Sequence, residues 1–120
     1  MVERILIDTD ILIEYAKGRM DIPDLPIYIS EITLFEYIRG TDDPDKFKKI
    51  LEESFPVIWI DNDIILKAVE IWIRLREKGE VLDDHDLIIG STAIVKGLKL
   101  YTLNKRHFDR LIKFGLSCYK

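Results

Sequence analysis

Cysteine is almost missing from this 120-residue chain: Cys118 stands alone, so no internal disulfide can form. Its setting, Leu116-Ser117-Cys118-Tyr119, predicts a buried thiol rather than a reactive one. With four prolines and six glycines there is no internal linker, low-complexity tract or repeat. No apolar run approaches the roughly 20 residues needed to span a bilayer, so no membrane role is expected. The N-terminus passes straight into a predicted strand without a secretory leader, and the expected location is cytoplasmic. Basic charge is also in deficit. Eighteen Lys and Arg against 22 Asp and Glu leave a net charge of -4. That balance argues against nucleic-acid binding through non-specific phosphate contacts alone. A bound divalent cation and a local basic patch can still offset the global sign.

What remains is a globular composition, 48% apolar and 33% charged, and the length suits a single domain over residues 1–120. The apolar run Ile5-Leu6-Ile7, broken at once by Asp8-Thr9-Asp10, reads as a strand buried on both faces with a polar break at its carboxyl end. Asp10 is placed as the cap of a helix from Ile11 to Lys17, closed by Gly18. Ile27–Ile29 reads as a second strand. A helix over Ser30 to Gly40 follows, and the capping-box spacing Thr33 to Glu36 allows a start at Thr33. Asp43-Pro44 opens a third helix reaching Glu53. Val57–Ile60 reads as a third strand and Asp61–Lys78 as the longest helix. Its apolar face takes in Ile64, Ile65, Ala68, Val69, Trp72, Ile73 and Leu75. Asp84–Lys96 is a strongly apolar helix ended by Gly97. Leu98–Thr102 is a fourth strand, His107–Ile112 a short helix and Leu116–Tyr119 a fifth strand. Strands alternating with helices predict a parallel sheet between helical layers.

Three acids stand where an otherwise apolar pattern would not place them: Asp8, Glu36 within Leu34-Phe35-Glu36-Tyr37-Ile38, and Asp86 at the head of Leu87-Ile88-Ile89. Buried carboxylates are rare unless paired or metal-bound, and no Lys or Arg adjoins any of the three in sequence. Two carboxylates ~4 Å apart repel by roughly 4 kcal/mol at an effective dielectric of ~20. Against a total stability of roughly 5–15 kcal/mol that is a large liability. A hard divalent cation removes it, and Mg²⁺ and Mn²⁺ prefer such oxygen donors. Each acid also has an ordinary reading. Glu36 could complete a capping box with Thr33, Asp86 could do so with Asp83, and Asp8 could bind loop amides. Spacing alone leaves both readings open.

Four stretches together resemble a family. They are Ile7-Asp8-Thr9-Asp10-Ile11-Leu12-Ile13, then Ile29 to Gly40, then His85-Asp86-Leu87-Ile88-Ile89-Gly90-Ser91-Thr92-Ala93, then Leu100 to Phe108. In this order and spacing the chain resembles a PIN domain, specifically the small VapC-type toxin ribonucleases of type II toxin–antitoxin systems. The likeness covers almost the whole chain. It implies a three-layer α/β/α fold with a central parallel sheet of four to five strands. It also implies a metal-dependent ribonuclease that hydrolyses RNA phosphodiester bonds. Asp8, Glu36 and Asp86 match the catalytic acidic positions that hold Mg²⁺ or Mn²⁺. Thr9 matches the small hydroxyl residue beside the first aspartate, and Thr102 and Asn104 match the fourth motif. Many relatives carry aspartate in place of Asn104, so a second metal, if the family uses one, is expected to bind more weakly here. Asp83 and Asp84 either compensate or cap the helix, and capping is the reading adopted. His85 and His107 are expected to be structural or peripheral. The likeness further implies a homodimer and a VapB-type antitoxin whose tail fills a groove near the site, with Tyr15, Phe35 and Tyr37 as candidate groove aromatics. Lys17, Arg19, Arg39, Lys105, Arg106 and Arg110 are candidate phosphate contacts along the predicted active edge.

Two rivals stand beside this reading. Asp8-Thr9-Asp10-Ile11 also looks like the nucleophile motif of haloacid-dehalogenase-type phosphohydrolases, although the chain is short and lacks a Gly-Asp motif before its last strands. The other rival is a PIN-like domain that binds RNA or a protein without cutting, which the Asn104 departure keeps open.

Overall fold

The computed structural model describes residues 2–120. In chain order the elements are β1 (Ile5–Ile7), α1 (Thr9–Ala16), β2 (Ile27–Ser30), α2 (Glu31–Ile38), α3 (Pro44–Ser54) and β3 (Val57–Ile58). They continue with α4 (Asn62–Glu77), α5 (Asp84–Lys96), β4 (Lys99–Tyr101), α6 (Lys105–Phe108) and a 3₁₀ turn over Asp109–Phe114. The four strands are all parallel, in the order β3-β2-β1-β4. Chain order reverses between β1 and β4, and the carboxyl ends of strands at such a reversal are where α/β sheets bind ligands.

Ile5, Leu6 and Ile7 are fully buried, as a central strand covered on both faces requires. Alternate side chains point to opposite faces of a strand, so β1 feeds two cores. Leu6 joins Ala68, Ile71 and Leu75 of α4, Leu87, Ile89 and Ala93 of α5, and Phe108 and Leu111. Ile5 and Ile7 join Ile11 and Leu12 of α1, Leu34 of α2 and Leu51 of α3. The result is the expected three-layer α/β/α arrangement.

Several boundaries move. The sheet has four strands, because Leu116–Tyr119 supplies only an isolated parallel bridge between Leu100 and Cys118. Its bonds run from Leu100 N to the Ser117 carbonyl (2.9 Å) and from Tyr119 N to the Leu100 carbonyl (2.8 Å). Cys118 is half-buried rather than buried, and partial burial pushes its thiol above the ordinary range. β3 stops at Ile58 because Ile60 N leaves the sheet and donates to Glu31 Oε1 at 2.7 Å. The helix expected at His107 begins at Lys105 and passes into the 3₁₀ turn at Asp109. On α4 only Ile64, Ala68, Ile71 and Leu75 are buried, one stripe at i, i+4, i+7, i+11. Ile65, Val69, Trp72 and Ile73 of the predicted face stay exposed, because α4 lays a single edge on the Leu6 core.

Gly90 lies where α5 meets the 3₁₀ turn. A Cβ there would sit 2.3 Å from Leu111 Cδ1, inside contact distance of a fully buried side chain. Gly90→Ala is therefore expected to destabilise by about 1–3 kcal/mol through overpacking, read as a lower urea midpoint at unchanged slope.

Candidate active site

The site is assembled at the end of β1. Asp8 N donates to the Tyr101 carbonyl at 2.9 Å, so pairing with β4 fixes the backbone at the sheet's carboxyl edge. Asp8 is extended (φ -75°, ψ 163°) and itself caps α1, which starts at Thr9, two residues before the predicted start, so Asp10 is not the cap. Asp8 Oδ1 accepts from Thr9 N at 2.8 Å, and Oδ2 accepts from the Thr102 hydroxyl at 2.8 Å. With the residue 7% exposed, burial is the largest influence on the carboxyl, and the neighbouring charge of Asp10 adds to it. Hydrogen bonds from Thr102 and Thr9 oppose this, Asp86 adds a smaller push, and the Asp8 pKa ends at about 6.

Asp10 bridges to the other side of the edge. Its Oδ1 accepts from Ile11 N (2.7 Å) and its Oδ2 from Leu103 N (3.1 Å), with the Thr102 hydroxyl 3.4 Å from Oδ2. Thr102 has one proton, and the shorter contact assigns it to Asp8. The Thr102 oxygen accepts in turn from Asn104 N at 3.0 Å. Burial raises the Asp10 carboxyl as well.

α2 brings the second predicted acid. The helix is capped by Ser30, whose hydroxyl accepts from Thr33 N at 3.0 Å. Thr33 is thus the third helical residue and not the cap, and Glu36 is released from the capping-box reading. Glu36 Oε1 accepts from the Thr9 hydroxyl at 2.7 Å, while Oε2 lies 3.2 Å from His85 Nδ1. Asp86 projects from the first turn of α5, with Oδ2 3.5 Å from His107 Nδ1. Its charge is felt at both Asp8 and Asp10, and Glu36 reaches the same edge through the hydroxyl of Thr9, the residue after Asp8.

None of these four carboxylates forms an ion pair with Lys or Arg among the described residues. The donors are oxygens, the chemistry a hard divalent cation prefers. No three acids or imidazoles among the described residues close into a ready coordination set. The carboxylates share a rim, laced by Thr9 and Thr102, and the donor chemistry fits Mg²⁺ or Mn²⁺ without a formed cage.

A family profile for the PIN domain matches residues 5–113. The chain belongs to the PIN domain family. Ribonuclease VapC1 of Methanocaldococcus jannaschii is 41% identical over 118 residues, covering 97% of this chain and 87% of that protein. VapBC-1 from nontypeable Haemophilus influenzae has a chain of the same fold, with TM-score 0.80 at 23% identity over 97% of this chain and 96% of that one. A toxin–antitoxin complex from Klebsiella pneumoniae contains a chain with TM-score 0.70 at 27% identity, over 88% and 90% of the two chains.

Against this PIN frame, several sequence expectations change. His85 and His107, expected to be structural or peripheral, are exposed at the edge of the site, and each faces a rim carboxylate. Asp83 occupies the N-cap position of α5, as the capping reading expects, but its side chain makes no capping bond. Asn104 meets the site through its backbone N–H, and its side chain makes no capping bond. Lys17 and Arg19 follow the far end of α1, about 12 Å along the axis from Asp8 at 1.5 Å per residue. Arg110 donates to the Val81 carbonyl, and Arg39 lies over the Phe35 ring at 5.1 Å. Lys105 and Arg106 open α6 directly after Asn104, beside the rim. Tyr15 and Tyr37 line one cavity of about 320 Å³ with Leu12, Phe47 and Phe55, whereas Phe35 is exposed outside it. The residue that sequence reasoning missed is Asp10. Its signal was the Asp8-x-Asp10 spacing, masked by assigning Asp10 to a cap.

Proposed function

We propose that this chain is a ribonuclease that hydrolyses RNA phosphodiester bonds with Mg²⁺ or Mn²⁺ held by Asp8, Glu36 and Asp86. The observation that carries this reading is a rim of four carboxylates with no Lys or Arg partner among the described residues. Likeness to the M. jannaschii ribonuclease supports the same reaction. When bound, the ion supplies positive charge to the phosphate and makes water a better nucleophile. The chain's own part is to hold its carboxylates ready. Thr102 fixes Asp8 to the end of β4, and Thr9 fixes Glu36 to the start of α1. Lys105 and Arg106 add cationic charge beside an otherwise acidic edge, and the phosphodiester backbone approaches from there.

The chain is the toxin of a toxin–antitoxin pair, a role the Klebsiella toxin–antitoxin complex supports; its partner is a VapB-type antitoxin, and it acts in the cytoplasm. It is a homodimer. Ile65, Leu66, Val69, Trp72 and Ile73 leave a broad apolar stripe of α4 open to solvent, as a partner-covered face requires. Among the described residues no helix is long and apolar enough to cross a membrane.

The test uses purified chain and structured RNA. Cleavage is expected with Mn²⁺ and is expected to vanish on chelation with EDTA. Cleavage that survives chelation would refute the metal assignment, and binding without cleavage would establish the non-catalytic alternative.

A further inference from the structure

We propose that Thr33 is a positioning residue of the nuclease site, orienting Glu36 through the Thr9 hydroxyl. The inference rests on the ribonuclease reading for its kinetic consequence and on the hydrogen-bond geometry for its mechanism. Thr9 Oγ1 lies 2.7 Å from Glu36 Oε1 and 3.1 Å from Thr33 Oγ1. A hydroxyl has one proton to give, and an ionised carboxylate can only accept. Thr9 therefore donates to Glu36, and the contact with Thr33 is satisfied only if Thr33 donates to Thr9. The order Thr33 to Thr9 to Glu36 follows from proton count alone.

Two features set Thr33 apart from an ordinary helical threonine. It is fully buried, where valine would fill the same volume without desolvating a hydroxyl. Thr92 of α5 shows the usual alternative, donating to the carbonyl four residues back, Ile88, at 2.7 Å. Thr33 stands third in α2, the residue four before it is Ile29 in β2, and its hydroxyl contact goes to Thr9 on α1 instead. Glu36 is three residues further along α2, on the same face. The relay thus spans two helices, pins Oε1, and leaves Oε2 turned toward His85.

The test compares Thr33→Val, which keeps the volume, with Thr33→Ser, which keeps the donor. In Mn²⁺-dependent cleavage, Thr33→Val is expected to lower kcat about fivefold at unchanged KM, the scale of one hydrogen bond between neutral hydroxyls. Thr33→Ser is expected to stay within about twofold of the native chain, and Thr33→Val added to Thr9→Val to cost nothing further. Native kcat in Thr33→Val, equal loss in Thr33→Ser, or additive losses would each overturn the proposal. A readout without turnover separates it from the reaction itself. Metal-free native protein should show a slowly exchanging Thr33 hydroxyl proton with a nuclear Overhauser contact to Thr9, and absence of that proton refutes the relay. Its presence in a chain that cleaves no RNA refutes the nuclease reading instead.

Discussion

Asp8→Asn is expected to melt above the native chain at pH 7.5 in EDTA, and to lose all measurable RNA cleavage when assayed with Mn²⁺. The stabilisation follows from the Asp8 carboxyl, whose pKa burial and Asp10 lift from 3.8 to about 6. A folded-state pKa above the unfolded one means that folding favours the protonated form. The associated stability is complete below about pH 4 and is lost as pH rises through 6. At about 1.4 kcal/mol per unit, the charged form costs the metal-free fold about 3 kcal/mol at neutral pH. Asp10 is shifted in the same direction and adds to the slope. Asparagine removes the charge and keeps an acceptor for Thr9 N, but loses charge-assisted bonds. A net gain of about 1–2 kcal/mol is expected, read as a rise of roughly 3–8 °C in Tm. Thermal melts between pH 4 and 8 should show a falling Tm in the native chain and a flatter profile in the variant. Mn²⁺ should raise the native Tm at pH 7.5 and leave Asp8→Asn unmoved. A variant that melts lower at pH 7.5 would show that the carboxylate is not a liability in the free protein.

Asp86→Asn is expected to reduce Mn²⁺-dependent cleavage by about a thousandfold or more, with Tm changed by only a few degrees. Asp86 is tied into the fold less than Asp8, its polar contact being with His107 at 3.5 Å, so removing its charge disturbs little packing. Glu36→Gln should behave similarly in rate. Its amide oxygen can still accept from Thr9, so the relay geometry persists while the charge disappears. Single-turnover cleavage of structured RNA, alongside thermal melts, separates lost chemistry from lost folding. Native rates in either variant would assign the cleavage to a contaminant and remove these residues from the proposed site.

The edge that carries the site was legible because strand β1 announces itself. Three consecutive apolar residues broken at once by Asp8 suit a buried strand that ends at a polar feature, and they form β1. The bond that holds Asp10 at this edge was not legible, because its partner, Leu103 N, is 93 residues away and becomes a neighbour only when β4 pairs beside β1. The same holds for His85 and His107, whose sequence neighbours give no hint that each faces a rim acid. The choice of Ser30 over Thr33 as the α2 cap was also tertiary in origin. Either hydroxyl suits a cap locally, and Thr33 is drawn instead into the contact with Thr9.

Local chemistry written along the chain determined the alternation of strands and helices, the parallel three-layer architecture and the three out-of-pattern acids. Those features depend on periodicity and on where an apolar run stops, which near neighbours decide. The tertiary structure alone decided which donors hold those acids, that Asp10 and two histidines join them, and that half of the apolar face of α4 stays uncovered. Such outcomes depend on which distant segments the sheet order places side by side and on how much surface a four-stranded sheet can cover.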